Sequence, residues 1–334
     1  MVKVPDTKKY VGFYLVEGMW AGAKPDYSKF NDGYWLTPEY TKLMEEIVVS
    51  LKDDDREVFI ARDGLIAYRD KELDKAVEPG KDFPRIETYA EILNALFLVM
   101  VSVITEDSQI KYHTYFEISH HDFVPVTYEG SDWKGAGVPT KSMASQYLNK
   151  RFLSYIPHNM TNSLDIYLDS PPRPVVSEDT LKKAVELFFG VVTDKRSARL
   201  FGRTNKALAE YASTAFSDTI LITWLQIETY LYDLLKGYMR KEGSSRFNAD
   251  RRKRLSKEST VSEAIEILEV AGQLDTDLYK RLCEVRRIRN KIVHEDYSAD
   301  HGEAAKAVEL TQMILRIKSG KAIALYTGLS WSGF

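Results

Sequence analysis

The fold of the second half of the chain is indicated most clearly by residues 284–295, which read EVRRIRNKIVHE. Apolar residues recur every three or four positions through and before this stretch, at Leu278, Leu282, Val285, Ile288 and Ile292. Such spacing places them on one side of an α-helix, so the stretch predicts a helix with one face buried against other helices. Arg289, Asn290 and His294 lie around and beside that face.

Arg289 and His294 are five residues apart along this predicted helix. On a straight helix their side chains lie ~140° apart around the axis and ~7.5 Å apart along it. One helix therefore does not bring them onto a single patch, unless it frays or ends near His294. Two copies of the chain related by a twofold axis would bring both pairs of side chains into one groove.

The sequence around this helix predicts an all-α region. No proline follows Pro174. Apolar residues at helical spacing indicate helices near residues 177–189, 198–239, 261–271, 277–295 and 301–318. Successive helices joined by short connections are typical of an antiparallel bundle.

The first half has a mixed α and β pattern. Residues 9–16 are aromatic and β-branched and predict a strand, and Arg62-Asp63-Gly64 predicts a hairpin turn between two further strands. Thr37-Pro38 is typical of a helix start, and this helix is predicted to run to about Leu51. Residues 84–104 predict a buried helix. The fold class expected is therefore α+β, with a mixed α/β domain followed by an all-α helical bundle.

A proline-rich segment, PPRP at residues 171–174, predicts the boundary between the two parts. Three prolines in four residues can continue neither a helix nor a central strand. We therefore predict a first domain over residues 1–174, a helical domain over residues 177–320 and a tail over residues 321–334. The residues of the first domain do not indicate its role, and sensing or regulation is a hypothesis.

Composition predicts a folded, soluble, cytoplasmic protein. The chain is 44% hydrophobic and 28% charged, which is typical of a globular protein. Its one cysteine can form neither an internal disulfide nor a thiolate zinc site, which favours a reducing compartment. The N-terminus has no signal-peptide pattern, and the most apolar run, residues 92–104, is too short to span a bilayer. We expect no membrane association.

Charge suggests that a polyanion would bind the C-terminal half. Residues 1–176 carry 20 Lys and Arg against 27 Asp and Glu, a net charge of −7, whereas residues 177–334 carry 26 against 22, a net charge of +4. Residues 240–254 hold seven basic side chains against two acidic ones and predict a loop that contacts phosphates. The basic residues expected to bind RNA are Arg251, Arg252, Lys253, Arg254 and Arg286. A plain solvated connector is the alternative interpretation.

The helical half resembles HEPN domains, a superfamily defined by an Arg-x(4–6)-His motif in which many members are ribonucleases. Arg289, Asn290 and His294 form the motif, and the stretch WLQIETYL at residues 224–231 places Glu228 in an upstream helix. The resemblance covers residues 198–318. It implies a metal-independent RNA endonuclease of the defence, toxin or RNA-processing kind, without a cofactor, whose cleft is shared by two protomers.

The resemblance also implies a role for each site residue. His294 would exchange protons with the attacking or leaving oxygen, and the Arg289 guanidinium would stabilise negative charge on the phosphate. Asn290 would donate a hydrogen bond to a phosphate oxygen or orient His294, and Glu228 would hold Arg289 if it faces it. RNA, a second copy of the chain and an antitoxin or other regulatory partner are the partners expected. No metal is expected, since His113, His120 and His121 have no further ligand at suitable spacing.

Three alternatives stay open. In the first, the domain is a non-catalytic HEPN module that binds RNA or a nucleotide. In the second, it serves only as a dimerisation domain for the first half of the chain. At the level of residues, His294 caps the helix end and Arg289 pairs with Glu228, so that the motif is purely structural.

Overall fold

The computed structural model describes residues 7–15, 18–24, 42–75, 83–108, 115–129, 132–136, 173–241 and 248–326. The chain forms two compact units, residues Met1–Asn205 and Lys206–Phe334. The first combines a sheet with helices and the second is helical, so the predicted α+β fold class is confirmed.

The first unit is built on a six-stranded antiparallel sheet. Its strands are β1 Thr7–Phe13, β3 Ile47–Asp53, β4 Arg56–Ala61, β5 Ile66–Asp70, β6 Val124–Glu129 and β7 Asp132–Ala136. They lie in the order β3-β4-β5-β1-β6-β7 across the sheet. A separate parallel pair joins β2, Trp20–Ala21, to β8, Val175–Val176. The predicted hairpin around residues 62–64 is confirmed as the β4–β5 connection.

Helices complete the core of the first unit in the residues that the structure describes. They are α1 Lys71–Lys75, α2 Phe83–Ser108, α3 Glu178–Val191 and the first part of α4, Lys195–Ala212. Helix α3 packs against α2 and β3. Its buried residues recur at helical spacing, at Leu181, Ala184, Val185 and Phe188. Burial of this apolar stripe, rather than intrinsic propensity, stabilises a helix of this kind.

Helix α2 is longer than the sequence predicted and is apolar enough to cross a membrane over residues Arg85–Asp107. Of its most apolar eighteen-residue window, 78% is buried inside the protein. This burial is that of a core helix. It is the one such helix in the part of the chain that the structure describes.

In the described part of the second unit, the end of α4 is followed by five further helices. These are α5 Phe216–Lys241, α6 Ala249–Glu258, α7 Val261–Val270, α8 Thr276–His294 and α9 His301–Ser319. Each of α6 to α9 begins at a side chain that accepts a backbone N–H bond in the first turn, and these caps are Asn248, Thr260, Asp275 and Asp300. Helix α5 contacts α6, α7, α8 and α9 and forms the centre of the unit.

The predictions for two helices and for the boundary between the two parts differ from the structure. The helix predicted to reach Leu51 is wrong over its last part, because Ile47–Asp53 pair with β4 as a strand; its predicted start at Thr37 lies outside the described residues. The long helix predicted over residues 198–239 is two helices, separated by a turn in which Thr214 has a φ of 65°. The boundary between the units falls within α4 rather than at residues 171–174, since α3 belongs to the first unit.

The contact between α2 and α4 requires a glycine at position 202. A Cβ there would lie 2.6 Å from the Glu91 carbonyl oxygen, closer than a carbon and an oxygen can approach. We predict that Gly202→Ala lowers the free energy of unfolding by about 1–3 kcal/mol, as measured by urea denaturation.

Gly190→Ala in α3 is the matched control, since its Cβ would meet nothing within 4 Å. This substitution should raise stability by about 0.5–1 kcal/mol, because alanine has the higher helix propensity. Equal effects at the two glycines would contradict the close packing of α2 on α4.

Candidate active site

Helix α8 is the element that positions the predicted motif. It begins at Asp275, whose side chain accepts the Leu278 N–H at 2.8 Å, and it ends at His294. Leu278, Leu282, Val285 and Ile288 are buried, as the spacing predicted, whereas Ile292 in the last turn is only half-buried. The Glu295 N–H still bonds the Lys291 carbonyl at 2.8 Å, so the last turn is regular rather than frayed.

The regular helix places Arg289 and His294 on different sides of its end. With the helical geometry intact as far as His294, the two side chains remain ~140° apart around the axis. The structure therefore does not bring them together within one chain. Arg286, three residues before Arg289 and four before Asn290, instead shares a face with both of these residues.

Arg289 is half-buried and makes one hydrogen bond to the described residues. Its Nη1 donates to the Asn290 Oδ1 at 3.2 Å. None of the carboxylates that the structure describes forms an ion pair with it. A guanidinium has five N–H donors in a fixed fork, so most of its donors point to no described acceptor and are suited to an oxyanion.

Glu228 does not hold Arg289, in contrast to the prediction. Its carboxylate accepts the Trp224 Nε1–H at 2.5 Å, one turn away on the same helix. The physical reason is that Trp224 is buried, and an indole N–H removed from water needs an acceptor. Glu228 therefore satisfies the indole N–H of Trp224 within α5. No contact between Glu228 and Arg289 among the described residues supports its predicted catalytic role.

His294 is exposed at the end of α8. In the described ranges no hydrogen bond or ion pair involves its imidazole, so the predicted structural alternative of a capping histidine is not observed. An exposed imidazole is available for proton exchange with a bound substrate.

The turn after His294 is held by Tyr297. Its hydroxyl donates to the Glu303 carboxylate at 2.9 Å, which raises the pKa of Tyr297 above its ordinary value. The Lys291 ammonium lies 5.3 Å from the centre of the Tyr297 ring. The Ala299 N–H donates to the Ser217 Oγ at 3.0 Å and so brings this segment to the start of α5. The end of α8 is consequently anchored on both sides.

Two large apolar side chains are exposed on the helices that carry the site. Leu225 of α5 is 54% exposed and Val293 of α8 is 47% exposed. Val293 lies between Asn290 and His294 in the sequence, on the solvent side of α8. The sequence prediction did not include these two residues, because periodicity alone does not separate an exposed apolar residue from a buried one.

From residue 249 onward the basic segment is a helix where the sequence predicted a loop; residues 242–247 lie outside the described residues. Arg251, Arg252, Lys253 and Arg254 lie in α6, and Asn248 caps it by accepting the Arg251 N–H at 2.8 Å. Because successive residues of a helix are rotated by ~100°, four consecutive basic side chains point in all directions. Arg254 lines a shallow groove together with Glu263 and Glu266. The four residues therefore do not form one phosphate-binding face.

Other candidate groups do not form a site. In the ranges that the structure describes, no three His, Cys, Asp or Glu side chains are grouped to hold a metal. The His120 and His121 ring centres lie 3.8 Å apart, and His113 lies outside the described residues.

Comparisons with protein-family models, with curated proteins and with solved structures found no match to this chain. The resemblance to HEPN domains therefore stays a prediction from the residues of the motif.

A double-mutant cycle separates the two possible partners of Glu228. We predict a coupling free energy of about 1 kcal/mol between Trp224→Phe and Glu228→Ala, since these substitutions remove the same buried hydrogen bond. Glu228→Ala and Arg289→Ala should be additive in urea denaturation. Coupling of Glu228 to Arg289 with none to Trp224 would contradict the observed contact.

Proposed function

We propose that this protein is a metal-independent RNA endonuclease that acts as a homodimer through Arg289 and His294. The observation that carries the proposal is the state of these two side chains at the end of α8. The guanidinium is bonded only to Asn290 among the described residues, and the imidazole is exposed without a partner among them. A purely structural arginine–histidine pair would be neutralised by carboxylates or by carbonyl groups.

These groups have the chemistry for strand cleavage by an internal nucleophile. The ribose 2′-hydroxyl would lose its proton and attack the adjacent phosphorus, and the bond to the 5′-oxygen would break as that oxygen takes a proton. The products would be a 2′,3′-cyclic phosphate and a 5′-hydroxyl. An imidazole suits either proton transfer, and a guanidinium stabilises the additional charge on the phosphoryl oxygens.

Geometry favours a second copy of the chain as part of the site. Arg289 and His294 point ~140° apart on one helix, so one protomer presents them to different regions of solvent. Apposition of two α8 ends around a twofold axis would place an arginine of one protomer near a histidine of the other. The exposed apolar side chain of Val293, next to His294 in the sequence, would be removed from water by the same contact.

The cellular context rests on the resemblance alone. A cytoplasmic nuclease of the defence or toxin kind must be inhibited until it is needed, and an antitoxin, a regulatory partner or the first unit would supply that inhibition.

The second candidate function, RNA or nucleotide binding without cleavage, is favoured by the separation of Arg289 from His294 within one chain. The two functions differ in whether the bound phosphate is attacked.

Cleavage of labelled single-stranded RNA in the presence of EDTA tests the proposal. We expect cleavage with a cyclic phosphate end, and a fall in rate of about a hundredfold or more in Arg289→Ala and in His294→Ala. Arg281→Ala is the matched control, since Arg281 lies two turns earlier on the same helix and pairs with Asp277 and Glu309. Equal rates in all three variants, or binding without cleavage in the unaltered protein, would exclude the nuclease.

A mixing experiment tests whether the site is shared between protomers. Arg289→Ala protein retains His294, and His294→Ala protein retains Arg289. If each site takes one residue from each protomer, an equimolar mixture exchanged through dilution should regain activity that neither variant has alone. A mixture that stays inactive, although mass spectrometry detects mixed dimers, would contradict a shared site.

A further inference from the structure

Helix α4 carries a row of basic side chains within the first unit. Over residues 195–205 the sequence KRSARLFGRTN contains Lys195, Arg196, Arg199 and Arg203 and no acidic residue. With a rotation of ~100° per residue, all four lie within one sector of ~100° around the helix axis. We call these four residues the basic row. Neighbouring members of the row Arg196, Arg199 and Arg203 are about 4.5–6 Å apart along the axis.

The basic row faces solvent, whereas the opposite side of α4 is core. All four of its side chains are exposed. The residues that separate and follow them are buried, namely Ser197, Ala198, Leu200, Phe201, Thr204 and Asn205. Arg199 pairs with Glu91 at 2.8 Å, but Arg196 and Arg203 have no ion pair or hydrogen bond with any residue that the structure describes. The charges of Arg196 and Arg203 are thus uncompensated by these residues.

The helix that presents this row is held in a fixed orientation. The Asn205 side-chain amide donates to the Asn94 Oδ1 and to the Phe116 carbonyl, both at 2.8 Å. Gly202 allows the backbone of α4 to approach Glu91 directly. Charges on a fixed helix keep their mutual spacing, so no backbone freedom has to be given up when a ligand binds.

We propose that the basic row is a binding track for the phosphate backbone of a single-stranded nucleic acid, in a unit whose sequence charge is otherwise acidic. A linear series of arginines without interspersed acids complements a linear series of phosphates, and guanidinium forks bind phosphate oxygens in pairs. The contacts involve no base edges, so binding is independent of sequence. The choice of RNA over DNA rests on the proposed function, whereas the track itself does not.

The structure argues against a membrane as the occupant of this surface. A basic amphipathic helix that lies on a bilayer inserts its apolar face among the lipids. In α4 that face is already buried in the protein core. An acidic protein surface is a different class of partner, and it is an outcome of the test.

Binding is measured by fluorescence anisotropy on a His294→Ala background, with labelled poly-U RNA as the probe. This background removes the proposed cleavage, so a failure of the nuclease does not affect the result. We expect Arg196→Glu/Arg203→Glu to weaken binding by on the order of tenfold or more. The salt slope should fall by about 1.4, at about 0.7 for each single-strand phosphate that the variant no longer neutralises.

The control variant Lys182→Glu/Lys183→Glu changes the net charge by the same amount. Lys183 is exposed and Lys182 is half-buried on α3 of the same unit, which is a different helix from the one that carries the basic row, and each lysine pairs with an acid. The control variant should keep nearly the affinity and salt slope of the His294→Ala protein. Circular dichroism of both variants checks that they fold.

Equal weakening in the two variants would show a general charge effect and overturn the proposal, as would an unchanged salt slope. Polyglutamate and poly-dT serve as competitors. Competition by polyglutamate at the same charge concentration as RNA would identify an acidic protein as the occupant and reject the nucleic-acid assignment. Equal competition by poly-dT would support the track and remove the preference for RNA.

Discussion

Burial of one face of α8 is the constraint on which the candidate site depends. Leu278, Leu282, Val285 and Ile288 are packed inside the second unit and fix the rotation of the helix about its own axis. The directions of Arg289 and His294 then follow from helical geometry alone. A rotation of α8 that turned either residue toward the other's side would expose part of this apolar row to water, at about 25 cal/mol for each Å². Helical geometry therefore sets the separation of the two side chains, and the core sets the directions in which they point.

The strongest periodic signals in the sequence predicted the corresponding elements well. Helix α8 agrees with the prediction to within a residue at each end, because its apolar spacing and its cap at Asp275 act together. The helix predicted through Leu51 failed because residues 47–53 are equally compatible with a strand. Pairing of Ile47–Asp53 with β4 decided the outcome, and such a contact is not visible in local sequence. Long-range pairing overrides local preference in this way.

The candidate site shows the same division between local and distant information. The face shared by Arg286, Arg289 and Asn290 could be predicted, since it needs only the periodicity of one helix. The partner of Glu228 could not, because the choice between Trp224 and Arg289 depends on how α5 is turned relative to the core. In the segment before α7, basic composition indicated a loop, although Asn248 followed by Ala249 and Asp250 is a helix start.

Helix α3 has a consequence for any attempt to separate the halves of the chain. Its apolar stripe, which includes Leu181, Val185 and Phe188, is covered by α2 and β3 of the first unit. A fragment that starts at residue 177 would carry this stripe uncovered, and a fragment that stops at residue 174 would lack the residues that fill the groove over its sheet. Both fragments would expose apolar surface that is buried in the full chain. Poor solubility after truncation there would therefore result from division of one hydrophobic core between two fragments, rather than from an intrinsically unstable domain.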